Sequence, residues 1–485
     1  MKGLSVAFLV TCIFFLPGTL VAQTQIKQAI ANLKADPVLK SANWGVSVVD
    51  LATGQEIAQH ESQKCLVTAS SMKALTTATA LWRLGEGFRF ETKLVSTGTL
   101  QANGTLKGDI WLVGSGDPSL GSARLRPEDG ATALLEAWTQ SVKQAGIKRI
   151  TGGVYADIGK FSTLITPRKW GFEDIGNYYG AGAAGVNFME NTYRLDLKPG
   201  NKVGAPTTVV RTDPPVPGLV FENELTTGSA RSGDQAYIFG VPYTSLRYLR
   251  GTIPYRKTSL FSIKGAIPDP ALFTAQQLAD ALKTCGISLE SPPAVKRCSN
   301  ASSAKVLYLH QSAPLIDLIR ETNHESINLF AEALLKQIAL HGGKAGDTQS
   351  GLDVLEDFWA SKGLSLKHAY LRDGSGLSSN NAVSPRQFTQ MLSLVHKSTY
   401  GEAYKNSLPI MGKSGTLKGM AAGTAAEGRI RAKSGYIGGV RSYVGYVKTR
   451  SGKQLAFAVI CNQFACSPGQ MKRKLIPLMA RMAEW

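Results

Sequence analysis

Two textures alternate along this chain, and their order restricts the folds open to it. From about Phe90 to Ala304, short β-like runs are broken by Gly, Pro, Asn and Asp, as in "GDIWLVGSGDPSLGS", "ITGGVYADIGKFS" and "NTYRLDLKPGNKVG". Both flanks read differently. "WGVSVVDLATGQEIAQHE" (Trp44 to Glu61) predicts strand, Gly turn, strand. "SMKALTTATALWRLG" predicts a helix stepping through Met72, Leu75, Thr79 and Trp82 and stopping at Gly85. Helical pattern returns from Leu315 to Leu340. The chain then closes with strand-like runs in "IRAKSGYIGGVRSYVGYVKTRSGKQLAFAVICNQ" and a basic amphipathic helix. There is no repeat and no low-complexity segment. At 485 residues two or three domains are expected. The economical reading is one α/β domain built from both ends of the chain and interrupted by a mostly β insertion.

The opening "MKGLSVAFLVTCIFFLPGTLVAQ" has a basic start at Lys2, an apolar run from Leu4 to Leu16, then Pro17-Gly18 and a small residue at Ala22. That order predicts a secretory signal peptide over 1–22, cleaved near Ala22, and an exported protein of the periplasm or cell envelope. The apolar run is shorter than the ~20 residues a spanning helix needs. Export permits disulfides. With Cys12 removed, Cys285 with Cys298 and Cys461 with Cys466 are the economical pairs, leaving Cys65 as a buried thiol. No CxxC or Cys/His cluster points to a metal, and no cofactor is expected. Lys and Arg number 54 against 35 Asp and Glu, a formal charge of +19. The excess is diffuse and reads as a solvated basic surface; with export, it argues against a nucleic-acid partner. The C-terminal "KRKLIPLMARMAEW" is expected to pack on the sheet, leaving at most peripheral membrane contact. The sequence leaves the oligomeric state open.

Chemistry concentrates in three short strings. In "ASSMK", Ser70 and Lys73 are one helical turn apart on one face, so a lysine amine with a lowered pKa can take the serine proton. Ser71 points about a third of a turn away. In "HESINLFAEALLK", Ser326 and Asn328 can reach one cleft if the segment turns there, the hydroxyl relaying a proton and the amide holding a peptide group. His324 and Glu325 beside them read as surface or capping residues. Lys-Ser-Gly occurs twice. Lys433-Ser434-Gly435 lies in a strand-like segment entering a hairpin, where Gly435 permits close backbone approach. Lys413-Ser414-Gly415 sits in "MGKSGTLKGMAAG", which reads as a loop.

Ser-x-x-Lys, Ser-x-Asn and Lys-Ser-Gly in this order resemble the penicillin-recognising serine enzymes. More narrowly, the chain resembles the class C low-molecular-mass penicillin-binding proteins, the D-Ala-D-Ala carboxypeptidase/endopeptidase family. The match rests on the 256-residue step from Ser70 to Ser326, on "GSGDPSL", on "SINLFAEALLK", and on "RDGSGLSSNNAVSP" followed by "SGTLKGM" and "GRIRAKSG". That block order selects Lys433 over Lys413. The resemblance implies an α/β (α+β) transpeptidase/β-lactamase-like domain with an antiparallel sheet flanked by helices, formed by 23–92 and 305–485. Residues 93–304 would be the inserted region, as two smaller nested β-rich domains. It implies that Ser70 is acylated by peptidoglycan stem peptides, and by β-lactam antibiotics as covalent inhibitors. Lys73 would be the base, with Ser326 and Lys433 relaying the proton. Asn328, Ser434, Gly435 and Tyr436 would hold substrate, the N–H groups of Ser70 and Tyr436 forming the oxyanion hole. Asp157 aligns with an insertion aspartate that meets the stem peptide. The chain departs from the family at Ser434, where threonine is usual, and at Ser379, where arginine is frequent. Asp117 reads as a turn residue. A serine β-lactamase in the same fold, and a non-catalytic peptidoglycan-binding protein, are the alternatives; the large insertion and Ser326 count against the first, the intact motif set against the second.

Overall fold

The structure is a computed structural model that describes residues 17–296 and 304–485. The expected leader over 1–22 falls largely outside these residues, as does Cys298 and with it the pairing expected for Cys285. No described helix is long and apolar enough to cross a membrane.

A five-stranded antiparallel sheet organises the molecule. Its strands are β1 (Asn43–Asp50), β2 (Glu56–His60), β3 (Ile430–Ile437), β4 (Val440–Lys448) and β5 (Gln454–Asn462). Their spatial order is β2-β1-β5-β4-β3. The two ends of the chain meet where β1 pairs with β5, from Asn43 opposite Asn462 to Asp50 opposite Leu455. Alternation along β5 shows how the sheet is covered on both faces. Leu455, Phe457, Val459 and Cys461 enter one core, with Met471, Leu475 and Met479 of the C-terminal helix Pro468–Glu484. Ala456, Ala458 and Ile460 enter the other, with α1 (Met72–Leu84), α2 (Leu315–His324) and α3 (Asn328–His341). The result is helix, sheet, helix. The C-terminal helix packs on the sheet as its amphipathic pattern predicts.

The helical stretch expected from Leu315 to Leu340 is in fact two helices, α2 and α3, separated by Glu325-Ser326-Ile327. The insertion is mostly strand, yet it also holds the helices Ala131–Gln144 and Pro270–Thr284. The second begins at an Asp269 cap accepting from the Leu272 N–H at 3.0 Å, with Pro270 in its first turn. Lys305–Gln311, drawn with the C-terminal segment by a boundary at 305, pairs antiparallel with Glu91–Ser96 in the insertion's own sheet.

Two cysteine expectations change. Cys461 and Cys466 are free thiols, and Cys461 is buried among apolar side chains. Cys65 is half-buried rather than buried, its thiol donating to the His368 carbonyl at 3.0 Å.

Candidate active site

A tight turn, Ala69–Ser71, leads into α1 and presents two adjacent serines in different ways. The Ser71 hydroxyl is fully buried and committed, donating to the Thr68 carbonyl at 2.7 Å, with Ser442 Oγ 2.9 Å away. Ser70 opens instead into a cleft of about 820 Å³, which Ser326, Asn328 and Tyr436 also line. Ala69 (φ 45°) and Ser326 (φ 61°) hold left-handed backbone. Each such residue costs about 1–2 kcal/mol, so both turns persist only because their surroundings dictate them.

Lys73 is fully buried, and its Nζ lies 3.1 Å from Ser70 Oγ, 2.5 Å from Asn328 Oδ1 and 2.7 Å from the Ser375 carbonyl. Burial pulls its pKa down to about 7, against the opposing pull of Asp373 and Glu332. The orientation of Asn328 is fixed, because its Nδ2 donates to the Tyr179 carbonyl at 2.7 Å. Two of the three partners of Lys73 are therefore oxygens that can only accept. A neutral amine spends its two N–H groups on them and turns its lone pair to Ser70.

From the other side, β3 brings in Lys433, also fully buried. Its Nζ donates to Ser326 Oγ at 3.0 Å and to the Ser434 carbonyl at 2.8 Å. Burial, and then the charge of Lys73, holds its pKa well below the usual lysine range. β3 is the edge of the sheet, so one row of its backbone groups is free to face the turn. Glycine at 435 allows the approach. A Cβ there would fall 2.3 Å from Ser442 Oγ, 2.6 Å from the Thr68 carbonyl and 2.9 Å from the Ser71 nitrogen. Tyr436 is half exposed at the cleft rim, its ring under the Arg441 guanidinium at 4.6 Å.

Ser70, Lys73, Ser326, Asn328, Lys433, Ser434, Gly435 and Tyr436 thus come together. Asp157 does not join them. It ends the strand Val154–Asp157, is 7% exposed, and accepts from the Gly159 N–H at 2.9 Å, closing a turn outside the residues that line the cleft. Ser379 is exposed. Asp117 closes a turn as expected, accepting from the Ser119 N–H at 2.8 Å. Glu325, read as a surface or capping residue, lines the cleft. Lys413 stays outside, 60% exposed and paired with Glu427 at 3.1 Å. Its neighbour Thr416 is different, since the Ser434 hydroxyl donates to Thr416 Oγ1 at 2.8 Å.

Behind Lys73 lies a layer the motifs did not announce. Asn328, Glu332 and Lys336 recur every fourth residue of α3 and form one buried polar stripe. Glu332 Oε1 accepts from the N–H groups of Gly374 (3.0 Å) and Ser375 (2.8 Å), which aims the Ser375 carbonyl at Lys73. Burial, with the nearby Asp373 adding to it, pushes Glu332 up to about 8. Asp373 is also raised by burial, against its bonds from the N–H groups of Ser378, Gly376 and Trp170. Lys336 Nζ donates to the carbonyls of Leu164 (3.0 Å) and Ala183 (2.8 Å), and burial lowers its pKa to about 8. Trp170, Tyr179, Leu164 and Ala183 all belong to the insertion, so the insertion walls the cleft and braces its floor. Among the described residues no group of three or more His, Cys, Asp or Glu could hold a metal ion.

Known proteins resemble this chain over nearly its whole length. A D-alanyl-D-alanine carboxypeptidase of Actinomadura sp. is 28% identical over 458 residues, 90% of this chain and 81% of that protein. The D-alanyl-D-alanine carboxypeptidase DacB of Haemophilus influenzae is 25% identical over 447 residues, 91% of this chain and 89% of its own. The crystal structure of penicillin-binding protein 4 from H. influenzae superposes with a TM-score of 0.81 at 22% identity, covering 94% of this chain and 98% of that one. Its likeness establishes the penicillin-recognising fold. Residues 26–484 match the D-Ala-D-Ala carboxypeptidase 3 (S13) family, and the chain belongs to that family.

Proposed function

We propose that this hydrolase cleaves the D-Ala-D-Ala terminus of peptidoglycan stem peptides, and their cross-links, through an acyl-enzyme on Ser70. The observation that carries the reading is the set of partners around Lys73, which leaves a neutral amine one direction for its lone pair. Ser70 Oγ attacks the carbonyl of the penultimate D-alanine and its proton passes to Lys73. The tetrahedral oxyanion is stabilised by the backbone N–H groups of Ser70 and Tyr436. Ser326, bridged to Lys433, relays the proton from Lys73 to the departing amine, which is free D-alanine in the carboxypeptidase reaction and the cross-link amine in the endopeptidase reaction. Asn328 aligns the acyl-side peptide, and Lys433 with Ser434 holds the terminal carboxylate. Water then hydrolyses the ester. The strained four-membered ring of a β-lactam presents the same carbonyl, and the H. influenzae protein of this fold has been crystallised with a β-lactam. Slow-turnover acylation of Ser70 by penicillin follows. In this reading the basic leader exports the chain to the periplasm or cell envelope, where its substrate lies.

Digestion of purified muropeptides, monomer and cross-linked dimer, tests the proposal. Wild type should release D-alanine from the monomer or monomers from the dimer, and Ser70→Ala should do neither. A penicillin adduct that survives Ser70→Ala in intact-mass spectra, or rapid nitrocefin turnover with no D-alanine release, rules the reading out.

A further inference from the structure

The antiparallel strands Gln235–Phe239 and Leu246–Pro254 of the insertion turn one face inward and one to water. Ile238, Leu249 and Ile253 are buried beneath them. On the outer face Tyr237 stands opposite Arg250, and Phe239 opposite Tyr248. A solvated sheet face ordinarily carries polar side chains, yet three of these four are aromatic. Tyr237 is 44% and Tyr248 38% exposed, while Phe172, with its ring 5.5 Å from that of Phe239, is 59% exposed. The rings are held in place. Tyr237 and Phe239 lie 6.2 Å apart, and the Arg250 guanidinium sits 5.9 Å from the Phe239 ring and 5.8 Å from that of Tyr248. The Glu224 carboxylate anchors Arg250 at 2.9 Å. An exposed aromatic row rimmed by charge is the pattern of a binding surface. It also runs into the cleft, because Tyr237 lines the same cavity as Ser70.

Resting on the peptidase reading above, we propose that this row is a glycan-binding strip that seats the polysaccharide strand from which the stem peptide hangs. A peptide held at Ser70 is covalently tied to a sugar chain, and that chain must leave the cleft across an adjoining surface. Pyranose rings offer a flat face of C–H bonds whose positive edge complements the negative face of an aromatic ring. Sugar hydroxyl and acetamido groups find donors and acceptors in the Tyr hydroxyls, Arg250 and Glu224. Stacking of this kind tolerates sliding, which suits a polymer of repeating units.

The test uses chitotetraose, a β-1,4-linked N-acetylglucosamine oligomer with no peptide, and two peptide substrates, a free pentapeptide and the same peptide on glycan chains. Wild type should bind chitotetraose with resonance shifts at Tyr248 and Phe172. The double variant Phe172→Ala, Tyr248→Ala should lose that binding, and its kcat/KM on the glycan-borne peptide should fall about ten-fold, mostly through KM. Its penicillin acylation and free-pentapeptide turnover should stay within about two-fold of wild type, because both ligands lack sugar. Tyr248→Trp, which keeps a ring, should retain binding. Absence of chitotetraose shifts at these residues in wild type, or an equal loss on both peptide substrates, overturns the strip. If wild type binds chitotetraose at this row but releases D-alanine from neither substrate, the peptidase reading fails and the strip stands.

Discussion

An ammonium group has no lone pair, so the work assigned to Lys73 depends on where its proton equilibrium lies. Burial lowers its pKa to about 7. Below that pH the ammonium form predominates and Ser70 keeps its proton; above it the neutral amine faces Ser70. The rate constant for penicillin acylation should therefore climb as pH rises through about 7. Stopped-flow measurement across the neutral range checks this, and a flat profile would exclude Lys73 as the titrating base. The duplicated triplet offers a second contrast at single residues. Lys413→Ala removes an exposed pair with Glu427 and should change acylation by no more than about two-fold. Lys433→Ala empties the contact to Ser326 and should lower it by at least about 100-fold. Thr416→Val, two residues beyond the Lys413-Ser414 pair, removes the acceptor for the Ser434 hydroxyl and should raise the KM for D-Ala-D-Ala substrates more than it lowers kcat, by about ten-fold. Equal effects of the Lys413 and Lys433 variants would undo the assignment of the catalytic copy.

Elements carry these residues to one another, and their legibility differed for physical reasons. The helix over Met72–Leu84 could be read from its own periodicity, and Ser70 and Lys73 came with it; the strand around Lys433 read as the entry to a hairpin, and the block order of the resemblance chose Lys433 over Lys413. Ser326 was legible as a motif member, but the break it makes between α2 and α3 was not, since nothing in the side chain of a serine demands a φ of 61°. Glu332 and Lys336 belong to no motif; only their four-residue spacing from Asn328 marks them as sharing its buried face. Trp170 and Tyr179 left no trace, because one contributes a single indole N–H and the other a main-chain carbonyl. Asp157 shows the other side of string matching: its place in the sequence suggests a substrate contact, while its side chain closes a local turn. The close passage of β3 over the Ala69–Ser71 turn gives a prediction at this scale. Gly435→Ala must push the strand back, because backbone atoms of Thr68 and Ser71 occupy the space its Cβ needs. Ser70 acylation should drop by about 100-fold, as misplacement by ~1 Å does elsewhere, while circular dichroism stays unchanged. Wild-type acylation in this variant would show that the strand has no part in positioning.

At the scale of the whole molecule, the segment from 93 to 304 is built into the floor of the cleft rather than hung from it. Lys336 binds two insertion carbonyls, Asp373 takes the indole N–H of Trp170, and Asn328 holds the Tyr179 carbonyl. Lys336→Met keeps the apolar stem but leaves the carbonyls of Leu164 and Ala183 without this donor, and should cost about 2 kcal/mol of stability, read from the urea midpoint. An unchanged midpoint would mean that the clamp contributes nothing. The pairing of β1 with β5 has a different consequence. Asn43 and Gln463, whose side chains touch at the end of this pairing, are 420 residues apart in the chain. Loop closure over such a distance is slow, and a sheet made this way has high contact order. Synthesis from the N-terminus delivers Ser70 and Lys73 well before Lys433 and the strands that hold it. The cleft is thus incomplete until the final strands arrive, and any activity that needs Lys433 waits on the whole polypeptide.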